Sequence, residues 1–115
     1  MKYRHLGNSG LEVSVIGLGT NNFGGRMEFK EAREVIFSAL DQGINLIDTA
    51  NIYSHGRSEE IIGRALADRR QESLIATKFG MVWEDGPHGH GGSRKHIMDS
   101  LEGSLRRLQT DHVDL

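Results

Sequence analysis

Apolar and polar positions change period several times along this chain, and the changes divide it into short elements. Lys2 to Leu6 and Leu11 to Ser14 flank Gly7-Asn8-Ser9-Gly10, whose residues tolerate turn dihedrals, so residues 1–14 are predicted to form a hairpin. Val15 to Leu18 is a brief apolar run suited to a strand covered on both faces. From Glu28 to Leu40, residues Ala32, Val35, Ile36, Ala39 and Leu40 recur at offsets 0, 3, 4, 7 and 8, which places them on one helical face. Gly43 is positioned to stop that helix. A second apolar run, Ile44 to Asp48, leads to a loop closing at Ser58, the predicted N-cap of a second helix. Glu59 and Glu60 then fall in its first turn, with Ile61, Ile62, Ala65 and Leu66 on its buried side. A third run, Ser73 to Lys78, precedes a glycine-rich loop over 79–92 that has no periodicity. Ser93 is predicted to cap a third helix carrying Ile97, Leu101, Leu105 and Leu108, and His112 to Leu115 would open a fourth strand.

Short strands alternating with longer helices predict an α/β fold with a parallel sheet and right-handed crossovers. A complete eight-stranded (β/α)8 TIM barrel needs roughly 200 to 250 residues. The 115 residues are therefore expected to form a single partial domain, the N-terminal half of such a barrel. In this scheme residues 1–14 are a β-hairpin and residues 15–115 supply the first four strands and three helices. Such a half barrel either belongs to a longer chain or closes its open strand edges by self-association or with a partner.

Composition narrows the partners. A net charge of −2 leaves no broad basic field, so neither nucleic acid nor an anionic membrane is an expected partner. With no cysteine, disulfides and thiolate metal sites are excluded, and the cytoplasm is the expected location. The opening MKYRHLGNSG lacks the apolar segment of a signal peptide, and no run approaches the roughly 18 apolar residues of a membrane span. His88, His90 and His96 have no carboxylate or thiolate spacing around them that completes a metal site, so no metal is expected and they are assigned to the surface. Arg64, Arg69 and Arg70 suggest a solvated helix face, and Trp83 either covers a substrate or shields the strand ends.

The chemistry gathers in two stretches. GINLIDTANIY, Gly43 to Tyr53, has a carboxylate where its apolar run ends and a phenol five residues later, while LIATK, Leu74 to Lys78, ends in an amine. As neighbouring parallel strands about 4.8 Å apart, the two runs would deliver Asp48 and Lys78 to the same sheet edge. Tyr53 would then swing over them, at the carboxyl ends of the strands where α/β proteins hold their active sites. Alternation assigns Leu46 and Asp48 to one face, and Leu74, Ala76 and Lys78 to the matching face of the next strand, lining the concave interior. Taken alone, an Asp–Lys pair is equally a mutual neutralisation and a tyrosine is equally a packed aromatic. Gly17-Leu18-Gly19 invites a dinucleotide fingerprint, but the third glycine of that motif falls at Asn22, and a loop through Gly24 and Gly25 delays the helix. A Rossmann fold is set aside on that ground. Thr20 and Asn21, at the strand's carboxyl end, are placed to touch a ligand.

Taken together, MKYRHLGNSGLEVSVIGLGT with the following FGG, GINLIDTANIYSHGRSEEIIGRAL, LIATK and SLRRLQTDHVDL resemble the aldo-keto reductase family. The resemblance is to the branch that includes bacterial reductases and the potassium-channel β-subunits. It implies a (β/α)8 barrel with an N-terminal hairpin, NADP(H) as cofactor, and reduction of a small-molecule aldehyde or ketone by hydride transfer. It carries over Tyr53 as catalytic acid and Lys78 and Asp48 as its catalytic partners. Gly19, Thr20, Asn21 and Asp48 carry over as cofactor contacts at the nicotinamide end. Two departures stand out: the branch usually has tryptophan where this chain has Asn21, and the family pattern runs on past D-x-V-D-L to a tyrosine and the catalytic histidine. His112 stands where tyrosine is common and does not replace that histidine. The implied function is the N-terminal portion of an NADPH-dependent aldo-keto reductase, inactive by itself. The alternatives are a non-catalytic half barrel that self-associates or binds a partner, and a regulatory cofactor-binding subunit.

A phenol titrates near 10, and making it a useful acid at pH 7 takes about 4 kcal/mol of selective phenolate stabilisation. A cation about 4 Å away supplies about 4 kcal/mol at an effective dielectric near 20, but only about 1 in bulk water. A lysine therefore suffices only in a dry pocket, and an open half barrel should be a poor catalyst.

Overall fold

The computed structural model describes residues 1–115. Strands β1 (Tyr3–His5) and β2 (Glu12–Ser14) pair antiparallel with Arg4 opposite Val13, which is the hairpin the turn residues imply. The hairpin is tied to the amino end of the main sheet by reciprocal bonds. Ser14 N donates to Asn45 Oδ1 at 2.8 Å, Asn45 N donates to Ser14 Oγ at 3.1 Å, and the Tyr3 hydroxyl donates to Gly43 O at 2.8 Å.

Strands β3 (Gly17–Gly19), β4 (Leu46–Asp48) and β5 (Leu74–Ala76) form a parallel sheet in that spatial order. Leu18, Ile47 and Ile75 share one register row, and Gly19, Asp48 and Ala76 the next. Side chains of adjacent rows point to opposite faces. Ile47 and Ile75 face the helical layer, in a core with Ala32, Ile36 and Leu40 from helix α1 (Phe29–Asp41) and Ile61, Ile62 and Ala65 from helix α2 (Arg57–Ala65). Helix α3 (Arg94–Leu108) adds Leu108. Leu46, Asp48 and Leu74 remain partly exposed on the opposite, concave face, as alternation requires. The fold is the N-terminal part of a (β/α)8 barrel, with its hairpin. No helix is long and apolar enough to cross a membrane.

Helix ends follow the local sequence closely. Gly43, at φ +84°, lets α1 finish in a Schellman motif: Ile44 N donates to Ala39 O at 2.9 Å and Gly43 N to Leu40 O at 2.8 Å. Ser93 caps α3, accepting from His96 N at 3.1 Å. Gly63 meets the end of α3 so closely that a Cβ there would lie 2.5 Å from the Leu108 carbonyl carbon and oxygen. The expected fourth strand is not a regular element, but Leu115 N donates to Ile75 O at 3.2 Å and Thr77 N to Leu115 O at 3.1 Å. Those are the first bonds of a parallel ladder against β5.

Three local expectations change. Ser58 is not the cap of α2: Gly56, at φ +92°, takes that place, and Ser58 lies buried inside the first turn because strand-end oxygens compete for its hydroxyl. Arg70 is not on a solvated face. Its guanidinium is 13% exposed and donates to Asp114 Oδ2 at 2.9 Å, Ser73 O at 2.8 Å and His112 O at 3.0 Å, clamping the last residues against β5. His96 is buried rather than superficial, bonded through Nδ1 to His88 O at 2.9 Å and through Nε2 to the Ser100 hydroxyl at 3.3 Å.

Candidate active site

The register that pairs β4 with β5 decides where the polar ends emerge. Asp48 closes β4, and Lys78 lies two residues beyond β5 on the same face. Lys78 Nζ donates to Asp48 Oδ1 at 2.6 Å and to Thr49 O at 3.0 Å, so the ammonium is held by one charge and one carbonyl at the strand ends. Tyr53 opens a short 3-10 turn, Tyr53–Gly56, and its half-buried ring has its centroid 5.3 Å from Lys78 Nζ. The loop carrying Tyr53 is itself pinned to the end of β5, because Asn51 N donates to Lys78 O at 3.2 Å. Acid, amine and phenol therefore meet at one sheet edge. The side chains of Lys78 and Asp48 are 50% and 43% exposed, so the pair is in the high-dielectric regime where such contacts contribute at most about 1 kcal/mol.

The other residues singled out from the sequence divide into exposed and enclosed. Gly19 lies opposite Asp48 in the register, is exposed, and has open space where a Cβ would stand. Asn21 is exposed beside it. Thr20 is completely buried: its amide and hydroxyl both donate to Asp48 O, at 3.1 and 3.0 Å, so its side chain is turned into the fold. What Thr20 does is hold the backbone of Asp48.

Behind these groups lies a buried polar layer that the sequence did not reveal. Ser58 Oγ donates at 3.0 Å to Thr20 O or Thr20 Oγ1, and lies 3.1 Å from Thr49 Oγ1. Glu59, with no exposed surface, accepts from Thr77 Oγ1 at 2.6 Å and from Arg107 Nε at 2.7 Å. Two consecutive residues of α2 thus stitch together the ends of β3, β4 and β5 and reach α3. In sequence, Ser-Glu-Glu at a helix start has the appearance of a cap and a dipole pair. Only the burial of Glu59 and the presence of Arg107 on the facing helix distinguish the two situations.

Comparison with known proteins gives the family. The model of the aldo/keto reductase family matches residues 15–115. Over its whole length the chain is 43% identical to the aldo-keto reductase YhdN of Bacillus subtilis, of which it covers 37%. It is 42% identical to a rice protein described as a probable voltage-gated potassium channel subunit beta, of which it covers 36%. The holo form of the aldo-keto reductase AKR11C1 from Bacillus halodurans superposes with a TM-score of 0.87 at 41% identity, over 98% of this chain and 38% of that one. The chain thus spans little more than a third of the length of these relatives. On the family model, the sequence identity and the superposition together, the chain belongs to the aldo/keto reductase family.

Proposed function

We propose that this chain is the N-terminal part of an NADP-dependent reductase that converts a small aldehyde or ketone to an alcohol, with Tyr53 as proton donor. The observation that carries the proposal is the Asp48–Lys78 pair at 2.6 Å with the Tyr53 ring 5.3 Å from the same ammonium. Carbonyl reduction needs hydride at carbon and a proton at oxygen; a nicotinamide supplies the hydride when bound. Asp48 aims Lys78, the Lys78 ammonium faces the negative charge left on Tyr53 when its proton passes to the carbonyl oxygen, and the strand ends orient the substrate. Gly19 and Asn21 fit the nicotinamide end, because the Gly19 backbone is exposed and has open space where a side chain would otherwise stand. Thr20 serves that site through Asp48 rather than by direct contact.

The exposure of Lys78 and Asp48 supports a second part of the proposal: the 115 residues alone turn over poorly, since water screens the ammonium. The test is a steady-state assay with NADPH and 4-nitrobenzaldehyde, run on the chain and on the full-length reductase containing it. Tyr53→Phe in the full-length protein should lower kcat by about 10² to 10⁴, with NADPH affinity unchanged. Wild-type turnover by that variant, or full-rate turnover by the 115-residue chain, would refute the respective part. The rice relative's description favours one further reading, a cofactor-binding regulatory subunit. Tight NADPH binding without turnover by the full-length protein would select it. Exposed Val15, Ile16, Met81, Val82 and Leu115 favour self-association of the isolated chain, which a monomeric elution volume would exclude.

A further inference from the structure

The turn that presents Tyr53 is held in an unfavourable backbone conformation. Ser54 (φ +48°), His55 (φ +49°) and Gly56 (φ +92°) are three consecutive left-handed residues, two of them with side chains. Residues with a side chain are sterically disfavoured in that region, so the turn persists only where its surroundings impose it. What surrounds it is specific. The His55 imidazole stacks on the Trp83 indole with centroids 4.1 Å apart and planes 6° from parallel. The Arg107 guanidinium carbon lies 4.6 Å from the Trp83 ring centroid, and Arg107 Nε donates to the fully buried Glu59 at 2.7 Å. A side chain at Gly56 would collide with Arg107 Cδ at 2.7 Å, so the glycine permits Arg107 to reach the indole. Glu59 also accepts from Thr77, the residue before Lys78.

We propose that Glu59 is a positioning residue that sets the distance between Tyr53 and Lys78. One of its oxygens anchors the Lys78 strand end through Thr77. The other fixes Arg107, which backs Trp83, which in turn holds His55, two residues after Tyr53, in the left-handed turn. The isolated residues would read as a helix-dipole glutamate, a surface arginine and a loop tryptophan; their contacts make them one clamp spanning α2, α3, β5 and the loop after it. This rests on the assignment of Tyr53 and Lys78 under the proposed function.

The experiment separates the two. Trp83 is the one tryptophan of the chain, so its fluorescence reports the stack directly and without reference to activity. In the 115-residue chain, Glu59→Gln and His55→Ala should each change Trp83 emission intensity and increase its quenching by acrylamide. In the full-length reductase the same variants should lower kcat about tenfold or more, since small misplacements of reacting groups cost up to about a hundredfold, while KM for NADPH stays within about twofold. His55 is exposed, so His55→Ala tests the mechanism even where Glu59→Gln fails to fold. Unchanged Trp83 fluorescence in His55→Ala, or changed fluorescence with kcat unchanged, would overturn the proposal. A normal kcat in Tyr53→Phe would instead strike the assignment of the proton donor, leaving the clamp itself to be judged by the fluorescence.

Discussion

Replacing Lys78 by methionine removes the charge and leaves a side chain of similar reach. With the ammonium 5.3 Å from the Tyr53 ring centroid, the attraction between ammonium and phenolate is about 3 kcal/mol at an effective dielectric near 20 and about 0.8 kcal/mol in bulk water. At 1.36 kcal/mol per decade, these correspond to losses in kcat of about 200-fold and about 4-fold. The half-exposed pair of the 115-residue chain belongs to the second regime. A full-length barrel that excludes water belongs to the first. The assay is kcat for 4-nitrobenzaldehyde reduction by full-length Lys78→Met, in parallel with Asp48→Asn, which keeps the shape but not the charge that aims the lysine. A loss of two orders of magnitude in Lys78→Met, insensitive to salt, is expected. A loss below about fivefold would show that the ammonium acts through water, and the account of how the phenol becomes an acid would then fail.

Stability offers further tests. Gly63→Ala should gain about 1 kcal/mol of helix propensity, but its Cβ would meet the Leu108 backbone at 2.5 Å, and backbone cannot rotate aside. Overpacking of that kind costs about 1 to 3 kcal/mol, so urea unfolding should show a net loss of about 1 kcal/mol; an unchanged midpoint would mean that α2 and α3 are not held at this separation. Arg70→Met should free residues 110–115, costing about 2 kcal/mol for a charge-assisted contact and raising amide exchange at Asp114 and Leu115, both of which bond to Ile75 O. Undiminished protection there would refute the clamp. Toward acid, the hydrogen bonds from Arg69, Lys95 and His112 hold Glu72, Asp99 and Asp111 respectively below the ordinary carboxylate range. A depressed folded-state value means the stabilisation is complete above the unfolded carboxylate range and is lost as pH falls through the lowered values. Tm should therefore hold steady from pH 7 to about 5 and decline below that, less steeply in Glu72→Gln; an equally steep decline in that variant would discount the Arg69 contact.

The parts of the site legible in the sequence are those that follow from strand alternation. Once Ile47 and Ile75 are committed to the helical layer, Asp48 and Lys78 have a single face left to them, and the parallel register brings them together. Apolar periodicity likewise exposes α1, whose buried residues are Ala32, Ile36, Ala39 and Leu40. Ser58, Glu59, Arg70 and Arg107 escape that logic because they are polar residues buried by mutual bonding. Nothing in a one-dimensional pattern says that Glu59 faces Arg107, which lies 48 residues away on another helix. Thr20 illustrates the same limit: its place at a strand end is evident, but whether its hydroxyl turns outward depends on Ser58 competing for it.

The hairpin at the start of the chain fixes where the amino terminus leaves the sheet. Through Tyr3, Ser14 and Asn45 it is fastened to the end opposite Asp48 and Lys78. A practical corollary concerns fusion partners: an affinity tag or fluorescent protein joined ahead of Met1 would emerge beside Gly43, at the end of the sheet away from Asp48 and Lys78.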